Sequence, residues 1–137
     1  MKYKFLSNDG LKFKAYGDSI EEVFANSALA MFASMNEEDK IASTKQLKIK
    51  VKGKDMESLL YNFLEELIFL FKSQNLFLSK VRDIRLDKKS FKLIAKISGD
   101  NAKNYELKHK VKEAKYKGII IGKENKKWVA NITFDIQ

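Results

Sequence analysis

The stretch LKIKVKGKDMESLLYNFLEELIFLF, residues 47–71, contains the change of hydrophobic period that decides the fold. Leu47, Ile49 and Val51 alternate with Lys48, Lys50 and Lys52, the period of two expected of a strand with one wet face. Gly53 ends that pattern. Asp55 is a good helix N-cap, and Leu59, Leu60, Phe63, Leu64, Leu67 and Phe71 then fall on one stripe, with Ile68, Phe69 and Leu70 widening the apolar arc. A one-sided strand followed by an amphipathic helix needs further layers to cover both apolar faces.

The flanks supply them. Upstream, Tyr3 and Phe5 predict a short strand, Ser7-Asn8-Asp9-Gly10 a turn, and Leu11, Phe13 and Ala15 alternating with Lys12 and Lys14 a second strand. Gly17-Asp18 breaks it. Ser19 with Glu22 reads as a capping box for a helix over 19–36, whose apolar positions include Ile20, Val23, Phe24, Met31 and Met35. Downstream, Leu76–Leu86 and Phe91–Ile97 predict a hairpin about Asp87-Lys88-Lys89, and Gly99-Asp100-Asn101 is expected to open a polar loop. Val111–Tyr116, Gly118–Ile121 and Trp128–Ile136 complete the strands, the last two joined around Gly122–Lys126. The expected fold is α+β: two amphipathic helices packed on one face of a mostly antiparallel β-sheet, a single-domain sandwich over residues 1–137.

Composition removes several function classes. With no cysteine and one histidine, His109, thiolate metal sites, cysteine nucleophiles and multi-histidine centres are excluded. The opening MKYKFLSNDG has no signal-peptide pattern, and the longest apolar run, 67–71, is far short of the ~20 residues that span a bilayer, so a cytoplasmic protein away from the membrane is expected. The net charge of +9 raises the prospect of an anionic partner. Only Arg82 and Arg85 carry guanidinium groups, however, whereas phosphate recognition favours that planar fork. Lys12, Lys14, Lys48, Lys50, Lys52, Lys92 and Lys96 lie on the polar phase of predicted strands without interleaved aromatics, so a solvated face outweighs a nucleic-acid surface.

Few residues suggest chemistry. The glycines are isolated and form no phosphate loop. His109, beside Lys108 and Lys110, reads as a solvated strand residue rather than a base. Asp135 interrupts the apolar closing strand on the phase opposite Ala130, Ile132 and Phe134, and an aspartate there could offer oxygen to a hard divalent cation. Asp9, in the N-terminal turn, is the other acid singled out.

Four segments, in this order, carry a resemblance: AYGDSIEEVFANSALAMF (15–32), GKDMESLLYNFLEELIFLF (53–71), VKEAKYKG (111–118) and WVANITFDI (128–136). Together they resemble the archease family over nearly the whole chain. The resemblance implies a non-catalytic accessory protein of a GTP-dependent tRNA-splicing ligase, which promotes guanylylation of the ligase's active-site histidine and multiple turnover. RNA would be met mainly through the ligase. It also implies a divalent metal, calcium, held by an aspartate of an N-terminal His-Thr-Ala-Asp loop together with an aspartate and main-chain or terminal oxygens at the C-terminal end. Asp135 and Ile136 match the C-terminal half of that metal site. Counted back from Ala15-Tyr16-Gly17, the N-terminal loop falls on Ser7-Asn8-Asp9-Gly10, which puts Asp9 one residue early as the remaining ligand candidate. Asp9 and Asp135 are also the candidate contacts to the ligase. The alternatives are a basic RNA-binding module and a divergent archease-like protein that has lost metal binding; an enzyme acting on a small molecule would lack any acid, base and nucleophile set.

Overall fold

The computed structural model describes residues 1–8, 11–36 and 40–136. The strands are β1 (Tyr3–Phe5), β2 (Lys12–Gly17), β3 (Lys45–Lys52), β4 (Leu76–Asp87), β5 (Lys92–Asn101), β6 (Val111–Ala114), β7 (Ile120–Glu124) and β8 (Lys127–Ile136). The helices are α1 (Ile20–Met35) and α2 (Met56–Gln74).

Both helices begin where their caps dictate. The Ser19 hydroxyl accepts from the Glu22 N–H, and the Glu22 carboxylate accepts from the Asp18 N–H, satisfying donors that the first turn leaves open. At α2, Asp55 accepts from the Ser58 N–H at 2.7 Å while the Ser58 hydroxyl accepts from the Asp55 N–H, a reciprocal capping box. Asn75, at φ 54°, ends α2 in the left-handed conformation that asparagine tolerates.

Every strand pairing is antiparallel. The α+β sandwich with two amphipathic helices is therefore as expected, but the strands divide between two sheets instead of sharing one. The five-stranded sheet runs β1-β2-β8-β6, with β7 also on β8, and the three-stranded sheet runs β3-β5-β4. β8 is the organising strand of the larger sheet. It pairs with β2 along one edge and, along the other, with β7 through its first half and β6 through its second. Each helix touches strands of both sheets. Period-two patterns show which face of a strand is apolar but not which strand lies beside it, so the division could not be read from them.

The core lies between these layers. Phe13, Phe24, Phe63, Phe134 and the α2 leucines Leu59, Leu60, Leu64 and Leu67 are essentially inaccessible, each side chain contributing about 1.5–3 kcal/mol by leaving water. Phe13 of β2 meets Phe134 of β8, Phe24 of α1 meets Phe63 of α2, and Phe32 of α1 packs edge-on to Phe77 of β4.

One expected loop is a strand end. Gly99, Asp100 and Asn101 complete β5, opposite Leu78, Phe77 and Leu76. Gly99 is required there because a Cβ would lie 2.2 Å from the Phe77 carbonyl oxygen. Asp100 is buried because Thr44 and Tyr105 hydroxyls and the Asn104 amide all donate to its carboxylate. Polar residues that would mark a loop here include a buried carboxylate whose hydrogen bonds are satisfied.

Candidate functional site

Asp135 stands one residue from the end of β8, half-exposed, between the buried Phe134 and the exposed Ile136. The antiparallel register sets Glu113 of β6 opposite Asp135, Ala114 opposite Phe134 and Val111 opposite Ile136. Lys115, just beyond β6, brings its ammonium to 3.3 Å from the Asp135 carboxylate, while its backbone N–H donates to the Thr133 carbonyl at 2.8 Å. The ion pair is open to solvent on both sides, so it orients the carboxylate more than it stabilises the fold.

α2 braces this end of the sheet from beneath. The Glu65 carboxylate accepts from the Ala114 N–H at 3.1 Å, tying helix to strand. One turn earlier, Tyr61 meets Tyr116 edge-to-face at 5.4 Å between ring centroids. Burial first, then the negative charges of Glu65 and Glu113, push the Tyr61 phenol above its ordinary range. The tip thus sets Asp135 against Lys115 and in register with Glu113, with an exposed aromatic, Tyr116, following Lys115 in the chain.

The N-terminal segment reaches the same end of the sheet. The Phe134 N–H donates to the Leu11 carbonyl at 3.0 Å, the Leu6 N–H donates to the Lys12 carbonyl, and the Lys12 N–H donates to the Ser7 hydroxyl. Leu11 therefore lies against the residue that precedes Asp135. Asp9 itself lies outside the described residues.

The expected divalent metal can be tested against the donors at this tip. Calcium takes six to eight oxygens, and among the described residues no group of three acidic or imidazole side chains comes together. Asp135 is already engaged by a lysine, Glu113 is the second carboxylate in register with it, and Ile136 sits in the ladder opposite Val111. The described donors do not amount to a calcium site.

Two further expectations are revised by geometry. His109 is not in a strand: it lies in the segment before β6, half-buried, with Nε2 3.4 Å from the Ser34 hydroxyl of α1. The lysines divide as the sheets do, Lys12 and Lys14 on the larger and Lys48, Lys50, Lys52, Lys92 and Lys96 on the smaller. Glu113 and Lys115 were not singled out from the sequence. Their alternation within VKEAK was visible, but the register that sets them beside Asp135 contains a shift between Val111 and Glu113 that no periodicity announces.

Comparison with known proteins covers nearly the whole chain. The model of the Archease protein family matches residues 7–136. Protein archease from Pyrococcus abyssi is 33% identical over 139 residues, covering 98% of this chain and 96% of its own. Protein archease from Saccharolobus islandicus is 39% identical over 125 residues, covering 90% and 89%. The solution structure of Methanobacterium thermoautotrophicum protein 1598 superposes with a TM-score of 0.78 at 27% identity, over 98% of this chain and 96% of that one. A crystal structure from Thermotoga maritima, described as an archease and possible chaperone, shares the fold with a TM-score of 0.60 at 13% identity, over 90% and 88%.

Proposed function

The chain belongs to the archease family, and from that premise we propose that it is a non-catalytic accessory protein of a GTP-dependent tRNA-splicing ligase, promoting ligase guanylylation and multiple turnover. The family match over residues 7–136 carries this reading. The working end is the tip at which β8 finishes, with Asp135 as its principal side chain and Asp9 and Ile136 as its neighbours in the family pattern.

What supports the tip is its construction. Asp135 is half-exposed on a strand whose alternate residues are locked in the core, so the carboxylate has a fixed origin and an end open to solvent. Lys115 gives it an exchangeable partner: docking against a ligase cation, or against the metal that accompanies the ligase's GTP, would replace one ion pair by another. In this reading the tip enters the ligase's nucleotide site, and Asp135 orders the groups there while α2, through Glu65, keeps the β6 end from fraying. Divalent-cation binding by the free protein is a separate proposal. It requires Asp9 to join Asp135 and Ile136, and calcium to displace Lys115. A calcium titration followed by isothermal calorimetry tests it, with Lys115→Ala expected to bind more tightly than wild type if the lysine competes.

The functional test is multiple-turnover ligation of tRNA halves by the cognate ligase with GTP. Wild type is expected to stimulate turnover, and Asp135→Ala to lose the stimulation while folding normally. A folded wild-type protein without effect would contradict the proposal.

A further inference from the structure

The outer face of the three-stranded sheet is a lattice of cations. Its inner face is apolar, with Ile49, Leu93, Ala95 and Ile97 buried. Its outer residues stand in cross-strand rows: Lys48, Lys96 and Arg82 in one, Lys50, Ile94 and Arg85 in the next, Lys52, Lys92 and Asp87 in the third. All are exposed. Neighbours across strands are about 4.8 Å apart and alternate residues along one strand about 6.6 Å. Like charges set directly opposite one another destabilise a sheet, so the row Lys48, Lys96, Arg82 has an electrostatic cost in the free protein that a bound polyanion would remove.

The arginines are the second observation. Arg82 and Arg85, the only two in the chain, are three residues apart and in a regular strand would point to opposite faces. The β4 register shifts between them, so that Arg82 opposes Lys96 and Arg85 opposes Ile94, and both join the cationic face. The extra residue is Asp83, held at φ 45°, and its carboxylate lies 3.8 Å from the Lys96 ammonium. A bulge that re-aims a side chain is a common device beside functional surfaces.

We infer that this face binds the phosphate backbone of an RNA duplex, independently of the tip at Asp135. A protein partner fits it less well, since interface cores are depleted of lysine, and Ile94 is the one exposed apolar side chain among these rows. A single strand fits less well too, because no outward residue of the rows is aromatic and bases would find nothing to stack on. A duplex read through its phosphates needs only the cations. The choice of RNA over DNA rests on the role beside an RNA ligase proposed above.

The test is fluorescence anisotropy with a labelled RNA duplex of about 16 base pairs and unrelated sequence, titrated between about 50 and 200 mM salt. Lys48→Gln, Arg82→Gln and Lys96→Gln combined should weaken binding at least about tenfold and lower the salt slope by about 2–3. Lys4→Gln, Lys40→Gln and Lys103→Gln combined, an equal loss of charge elsewhere, should change affinity less than about threefold. Asp83→Asn, which removes the acid and keeps a side chain suited to that φ, should tighten binding. Equal losses in the two triple variants, no salt-dependent binding by wild type, or loss of ligase stimulation by the Lys48, Arg82 and Lys96 triple variant with its RNA affinity intact would each overturn the inference, the last by assigning the face to a protein. Ligase stimulation by wild type without RNA binding removes this inference alone; RNA binding by wild type without stimulation removes the accessory role and leaves the face.

Discussion

Single residues here illustrate two different physical effects. The Asp100 carboxylate is held well below the usual carboxylate range, first by the Thr44 hydroxyl, then by Tyr105, the Asn101 N–H and Asn104. A folded-state value below the unfolded one means that the unfolded chain binds the proton more readily, so this stabilisation is complete above about pH 4 and is lost as pH falls below it. Chemical denaturation at several pH values should show wild type losing stability more steeply below pH ~4 than Asp100→Asn; parallel curves would remove Asp100 as the cause. Lys126 illustrates backbone strain. With Asn125 at φ 50° and Lys126 at φ 71°, the β7–β8 turn asks two side-chain-bearing residues to adopt the left-handed region. Lys126→Gly should therefore stabilise the protein by about 1 kcal/mol, read as a rise in melting temperature; a fall would show that Lys126 makes a contact worth more than the strain.

At the scale of elements, patterns on one stretch of chain were legible and relations between stretches were not. The helix caps at Ser19 and Asp55 are local chemistry, and both helices begin one residue after them, as expected. Gly99-Asp100-Asn101 was misread because the usual meaning of glycine beside polar residues is a turn, whereas here the glycine makes room for Phe77 and the aspartate accepts hydrogen bonds from Thr44, far away in sequence, as well as from the nearby Tyr105. Gly99→Ala should accordingly cost about 3 kcal/mol or more, since the obstruction is a backbone carbonyl that cannot step aside; equilibrium unfolding within about 1 kcal/mol of wild type would contradict that packing. The bulge at Asp83 was equally invisible. Its effect, placing Arg82 and Arg85 on one face, depends on a one-residue slip relative to β5. Of the candidate site, Asp135 and its phase could be read from the closing strand, while Glu113, Lys115 and Glu65 came only with the pairing of β6 to β8 and its tie to α2.

The whole molecule separates its features. The core and both helices occupy the middle, the tip with Asp135 ends the larger sheet, and the cationic rows cover the outside of the smaller one. In the proposed role the tip meets the ligase and the basic face meets its RNA, so damage to one should leave the other intact. Asp135→Ala lies at an exposed position, where substitutions usually cost under about 0.5 kcal/mol, and should leave both the melting curve and RNA affinity unchanged. Multiple-turnover ligation of tRNA halves by the cognate ligase, with substrate in excess and wild type and Asp135→Ala compared side by side, decides whether the protein works through this tip. Stimulation by wild type and none by a folded Asp135→Ala is the result expected of an accessory protein that works through this tip. Stimulation by Asp135→Ala equal to that of wild type would contradict it.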